Sequence, residues 1–147
     1  PKRLWDVIRL IDMFLLNDEE AIQLTNKTNI YDAANLLLRS GPSVVVIKRG
    51  GNGALLACDD VRIQIPIFPI DKLIDPTGAG DSFAGGFIGH LVNNGKDDLV
   101  EAVIAGSAVA SFTVSGFGVD GLLKANISSI QERKDVIRNS MEKLKTI

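Results

Sequence analysis

The sequence is poor in the residues on which several classes of function depend. Cys58 is its single cysteine, so no internal disulfide can form and no metal cluster can be assembled on thiolates. A reducing, cytoplasmic setting is the default for such a chain. Charge of either sign is not in excess: 16 basic and 18 acidic residues give a net charge of −2, which argues against nucleic acid or an anionic membrane as a partner. No apolar run approaches the ~20 residues of a membrane span, and the N-terminus does not read as a signal peptide. Internal repeats and low-complexity segments are missing as well. With 147 residues, 46% hydrophobic and 23% charged, what remains suits one soluble globular domain able to bury a core. The chain opens on Pro1 rather than methionine, as expected either after removal of an initiator or for a piece of something longer.

Strands alternate with helices along the chain. "DMFLLN" (12–17) is a short apolar run and reads as a buried strand, followed by the helix "DEEAIQLT", whose first-turn acids suit the helix dipole. "NIYDAANLLLRSG" is a second helix with Gly41 at its stop position. "SVVVIK" (43–48), β-branched and almost wholly apolar, fits a strand covered on both faces. "RGGNG" turns the chain into "ALLAC", and "DD" turns it again. "VRIQIPIF" alternates, with Val61, Ile63, Ile65 and Ile67 on one face, and Pro66 suggests an edge position. The pattern then predicts a helix from Ala79 to about Gly95, and a nearly all-apolar, buried helix capped by Asp97 or Asp98. "GFGVDG" reads as a loop. The last helix opens with Ser129 and Glu132 in capping-box spacing and carries a stripe of Ile130, Ile137, Met141 and Leu144. The doubly covered strand implies parallel pairing, and the class is α/β.

Chemistry is concentrated in "DPTGAGDSFAGGF" (75–87). As a plain loop and cap, Asp81 would sit in the first helical turn for its dipole energy and Gly78 and Gly80 would serve the turn. More is implied. Glycines before a helix let backbone approach a ligand, and the free N–H groups of the first turn form an anion site. Gly85 and Gly86 each cost the helix about 1 kcal/mol, which makes sense where something packs very near. A carboxylate beside an anion hole would repel phosphate unless it takes the proton of a hydroxyl that attacks that phosphate.

The stretch resembles the second signature of the ribokinase-like (PfkB-type) carbohydrate and nucleoside kinases, D-T-x-G-A-G-D, with Pro76 in place of the commoner threonine. Further matches follow the family's order. "LLNDEEAIQLT" resembles its N-x-x-E element, with Asn17 and Glu20; "VVVIKRGGNGALL" resembles its T-x-G-x-x-G strand–turn–strand element, with Lys48 replacing the usual threonine; "GSAVASFTVSGFG" resembles the helix and loop bordering the adenine.

The resemblance implies a three-layer α/β/α fold, present as its C-terminal portion, with a mainly parallel sheet and a β-hairpin at the edge. It implies an ATP-dependent phosphotransferase acting on an alcohol hydroxyl of a sugar or nucleoside. Asp81 is then the general base, and the amides of Gly78, Ala79, Gly80 and Asp81 hold the γ-phosphate. Asn17 and Glu20 act on Mg²⁺ and the ATP phosphates, largely through water. Lys48, Gly50 and Gly53 lie beside the nucleotide, and Ser107, Ala110 and Gly118 border the adenine slot. Asp75 and Thr77 match positions that help bind a monovalent cation, usually K⁺.

Blander roles stand beside these. Asn17 with Glu20 is good helix-capping geometry, and both roles can hold at once. "RGGNG" is first a hairpin turn. Lys48 at a strand end points more often to solvent, His90 reads as a surface or packing histidine rather than a catalyst, and Trp5 as a packing anchor.

Members of the family run to about twice this length, with a first half that carries most acceptor-binding residues, a β-sheet lid and a glycine signature. None of these is legible before Asn17. The chain therefore reads as one nucleotide-binding portion, 1–147, of a larger kinase domain, prone to associate through exposed strand edges, a homodimer included. The alternative is a stand-alone nucleotide-binding module without catalysis of its own. A Rossmann-type dinucleotide site fails on spacing, because Phe83 stands where the third glycine is needed. The residues present do not distinguish a sugar from a nucleoside acceptor.

Overall fold

The computed structural model of the protein describes residues 2–145, with side chains described through residue 143. The chain divides into two compact units, Pro1–Gln64 and Ile65–Ile147.

The first unit begins with α1 (Lys2–Ile8), then β1 (Met13–Asn17), α2 (Asp18–Thr25), α3 (Ile30–Arg39), β2 (Val44–Lys48) and β3 (Ala54–Cys58). β4 (Val61–Ile65) completes a four-stranded sheet in the order β1-β2-β3-β4. The sheet is mixed. β1 pairs parallel with β2, from Met13 opposite Val44 to Asn17 opposite Lys48, and β2 pairs antiparallel with β3. The β-branched run of β2 is buried at Val44, Val45, Val46 and Ile47, as expected for a strand covered on both faces. The hairpin turn falls at Arg49–Gly53, around a 3₁₀ turn at Gly50–Asn52, and a second two-residue turn carries the chain into the edge strand.

One core cluster holds this unit: Leu16, Ala21, Ala33, Ala34, Leu37, Val45, Ile47, Leu55 and Ala57, with Trp5 packed against it. Trp5 is thus an anchor, carried on a helix, α1, that the residue pattern did not announce. β4 is shorter than the alternation suggested, ending at Ile65 rather than Phe68. Pro66 has no N–H to donate to a ladder, and the strand stops in front of it.

The second unit is helical: α4 (Ala79–Asn94), α5 (Leu99–Thr113), α6 (Asp120–Leu123) and α7 (Ile127–Lys145). α5 is buried along most of its length, from Ala102 to Ala108 and again from Ser111 to Thr113. α4 and α5 approach through glycine. A Cβ on Gly86 would lie 2.9 Å from the Ala105 carbonyl oxygen and 3.0 Å from the Gly106 Cα, and one on Gly106 would lie 2.8 Å from the Phe83 carbonyl oxygen. Gly86 therefore serves close packing, as its cost to the helix suggested, whereas a Cβ on Gly85 would meet nothing within 4 Å.

Three caps and loops differ from what the sequence suggests. Asp98 does occupy the N-cap position of α5, but its side chain makes no cap bond. Its carboxylate is instead 2.7 Å from His90 Nε2, so His90 is a packing residue with a partner, 10% exposed. α7 is boxed by Asn126 and Ser129, not Ser129 and Glu132: Ser129 N–H donates to Asn126 Oδ1 at 2.9 Å, and Asn126 N–H donates to Ser129 Oγ at 3.0 Å. The end of "GFGVDG" is helical, as the start of α6. On α7 Ile137 is fully buried and Ile130 and Met141 are partly so; the side chain of Leu144 lies outside the described residues.

α7 is fastened by arginines. Arg133 lies 3.5 Å over the Phe112 ring and 4.6 Å over the Phe68 ring, and donates to Ser111 Oγ at 2.8 Å. Arg138 grips Glu101 on α5 with two parallel bonds, Nε to Oε1 at 2.8 Å and Nη2 to Oε2 at 2.7 Å. These bonds hold the Glu101 carboxyl below its ordinary range, and the Glu101 carboxylate raises the Arg138 guanidinium above its own.

Candidate active site

The residues singled out from the sequence fall into two groups, one in each unit. In the first unit, the parallel register sets Asn17 level with Lys48, so Asn17, Lys48 and the Arg49–Gly53 turn share the carboxyl end of β1 and β2. That end of an α/β sheet is where ligands are usually held. Asn17, in extended backbone at φ −88° and ψ 169°, caps α2. Its Oδ1 accepts the Glu20 N–H at 2.7 Å, and Glu20 Oε2 accepts the Asn17 N–H at 2.9 Å. The capping box expected of these two residues is therefore complete. One oxygen of each side chain is already engaged, which suits contact with a cation through water better than direct coordination. Among the described residues no cluster of three His, Cys, Asp or Glu side chains is placed to hold a metal.

Gly50 and Gly53 have φ of 51° and 82°, and the turn closes with Arg49 N–H donating to the Gly53 carbonyl at 2.8 Å. Lys48 is half-buried at the strand end and makes no ion pair among the described residues. Arg49, read only as a turn residue, donates to Gln64 Oε1 at 2.9 Å, and Gln64 in turn donates to the Tyr31 hydroxyl. These three and the first-turn acids Asp18 and Glu19 line a cavity of about 710 Å³.

In the second unit the glycine stretch forms the loop into α4. Gly78 is the N-cap, with φ 79° and ψ −1°, a left-handed conformation that an L side chain rarely adopts. The amides that follow sit at the positive end of a 16-residue helix. Ser82 N–H closes the first turn onto the Gly78 carbonyl at 2.9 Å. Of the four amides expected to hold an anion, that of Ala79 is occupied: it donates to the Pro76 carbonyl at 3.1 Å. A tight turn from Pro76 to Ala79 uses it locally. Gly78, Gly80 and Asp81 have no acceptor for their N–H groups among the described residues. Asp81 is exposed, in the first turn, and its carboxylate takes no protein hydrogen bond among the described residues.

Two further segments converge on this turn. Asp75 accepts the Thr77 N–H at 2.9 Å, and that bond, one from the Thr77 side chain and one from the Gly118 backbone hold its carboxyl below the ordinary aspartate range. The Ile74 and Asp75 amides both reach the Val114 carbonyl, at 2.8 and 3.4 Å. Asp75, Thr77 and Gly118 are thus brought together, with Gly118 at φ 52°. Ser107 and Ala110 lie on α5, Ser107 buried and Ala110 half-buried. Two residues that sequence reasoning did not single out meet at the same turn: Thr113 Oγ1 donates to Ser82 Oγ at 2.7 Å. They stand 31 positions apart, and no local pattern links them.

The model of the pfkB family carbohydrate kinases matches residues 2–126. The chain belongs to that family. It is 32% identical over 136 residues to a ribokinase of Staphylococcus aureus, covering 89% of this chain and 43% of that protein. To a cytidine kinase of Thermococcus kodakarensis it is 37% identical over 85 residues, 56% of this chain and 30% of the relative. Its fold matches that of aminoimidazole riboside kinase from Salmonella enterica, solved with aminoimidazole riboside and an ATP analog, at a TM-score of 0.79 and 25% identity over 90% of this chain and 45% of that one. The chain thus has the ribokinase-like α/β fold in part, and it spans less than half the length of these relatives.

Proposed function

We propose that the protein acts in phosphoryl transfer from ATP to an alcohol hydroxyl of a sugar or nucleoside. The observation that carries this reading is the turn at 78–81, where the unoccupied amides of Gly78, Gly80 and Asp81 and the exposed Asp81 carboxylate stand at a helix N-terminus. Amides in that position oppose the charge that develops on the transferring group, without reorganising as the reaction proceeds. Asp81 takes the proton of the acceptor hydroxyl as its oxygen attacks the γ-phosphorus; the bond to the β,γ-bridging oxygen breaks and ADP departs with those electrons.

On this reading Gly78, Gly80 and Asp81 supply the anion hole, with Ala79 joining only if its turn bond opens. Lys48, Gly50 and Gly53 flank the nucleotide, and Ser107, Ala110 and Gly118 border the adenine. Mg²⁺, when bound, neutralises phosphate charge, and Asn17 and Glu20 are the residues to hold it, through water. Asp75 and Thr77 offer a carboxylate and a hydroxyl oxygen to K⁺. The names of the relatives, a ribokinase and a cytidine kinase, support a sugar or nucleoside as the acceptor.

The test is Asp81→Asn. Turnover of the protein with ATP and a sugar or nucleoside acceptor should fall at least about 10²-fold, the usual worth of a positioned base, while binding of Mg-ATP, followed by calorimetry, stays close to wild type. Near-normal turnover in this variant removes Asp81 from the chemistry.

A further inference from the structure

The proposed anion hole is made of backbone, and backbone amides are useful only as far as something fixes their direction. α4 has no side-chain cap: Gly78 carries no side chain, and no cap hydrogen bond is made at that end. The usual device for holding the first turn of a helix is missing where the reading requires most precision.

The side chain nearest to supplying that function belongs to a different helix. Thr113 is the last residue of α5 and is only 4% exposed. Its hydroxyl donates to Ser82 Oγ at 2.7 Å, on the residue next to Asp81 in the chain. Its methyl is the one heavy atom that a Cβ on Gly78 would meet within 4 Å, at 3.9 Å. One buried side chain therefore bonds the Ser82 end of the 78–82 turn and faces the bare side of Gly78, and the two ends of that turn are already joined by Ser82 N–H and the Gly78 carbonyl.

Thr113 is itself held. α5 continues into Val114, whose amide bonds back to the Ala110 carbonyl and whose own carbonyl receives the Ile74 and Asp75 amides. Its neighbour Phe112 lies under the Arg133 guanidinium. The hydroxyl is presented from a fixed helix end.

We propose that Thr113 is the positioning residue of the phosphoryl-binding turn, acting through Ser82 to hold the Gly80 and Asp81 amides in line. This rests on the phosphoryl-transfer reading of that turn. A threonine suits the place because it brings both a donor and a methyl. Val keeps the shape and loses the donor; Ser keeps the donor and loses the methyl.

The experiment compares binding of MgADP alone with MgADP plus aluminium fluoride, a planar mimic of the transferring phosphoryl group, to the wild-type chain and its variants. In wild type the fluoride should tighten binding. In Thr113→Val that gain should shrink about tenfold or more, since ångström-scale misplacement costs up to about 10²-fold, while affinity for MgADP alone is unchanged. Thr113→Ser should restore most of the gain, which a purely structural loss would not allow. Ser82→Ala removes the acceptor from the partly exposed end and should behave like Thr113→Val, so the test survives if the buried substitution does not fold. A full fluoride gain in either hydroxyl-deleting variant overturns the role of Thr113 and leaves the phosphoryl-transfer reading standing. Wild type that binds MgADP with no gain from fluoride overturns both.

Discussion

The first unit, Pro1–Gln64, fills its interior with large side chains, among them Leu16, Leu37, Ile47 and Leu55 on one cluster between sheet and helices. In Ile65–Ile147 α4 and α5 also cross through glycine: a Cβ on Gly86 or on Gly106 would lie within 3 Å of main-chain atoms of the facing helix. The difference matches what each unit has to hold. In the first, the candidate residues stand on strand ends and a hairpin, which ordinary sheet packing positions. In the second they stand on a helix turn with no cap, and only a close crossing lets Thr113 at the end of α5 reach Ser82 at the start of α4.

That contrast makes the two units fail in opposite ways. Removing atoms should break the first. Leu37→Ala empties a fully buried site and should cost about 2–5 kcal/mol. Trp5 fluorescence reports it directly, because the only tryptophan packs on the same cluster. Adding atoms should break the second. Gly86→Ala should cost about 1–3 kcal/mol by overpacking, overriding the 0.5–1 kcal/mol, roughly, that alanine brings to a helix interior. Gly85→Ala, one position earlier with open space around it, should keep that gain and stabilise by up to about 1 kcal/mol in urea unfolding. Equal effects at positions 85 and 86 would dissolve the comparison.

A smaller effect sharpens it. An ion pair also ties α7 to α5 in the second unit, and Arg138→Ala should cost about 1 kcal/mol, near the top of the range for partly exposed pairs. The sign of its pH dependence follows from Glu101. Its folded carboxyl is held low by Arg138, so the pair stabilises fully above the ordinary glutamate range, and the contribution is lost as the pH falls through the lower folded value. Arg138→Ala should flatten stability against pH in that acid window and nowhere above it.

Local signals were legible in the chain, and distant ones were not. α2 has the bounds that its acids and the Asn17–Glu20 spacing announce, because a capping box is complete within four residues. β2 follows its β-branched run, and the stop of α4 follows Gly95. The misreadings differ in cause. Asp98 was free to cap α5, but His90, eight residues away on another helix, offered its carboxylate a better partner. Ser129 joins a cap, though as the third helical residue behind Asn126. At the candidate site the glycines and Asp81 were plain from composition and spacing. That Ala79 would be taken up by its own turn, and that Thr113 would lie against Ser82, depended on a fold no short window contains.

The central claim is that the free amides at the start of α4 receive a phosphoryl group. Titrating the isotopically labelled chain with Mg-ATP and following its amide resonances tests this most directly. The Gly78, Gly80 and Asp81 signals should shift most, saturating together, with Ala79 moving less while it remains bonded to Pro76. If those three resonances stay still while others saturate, the nucleotide binds elsewhere and this turn is only the beginning of a helix.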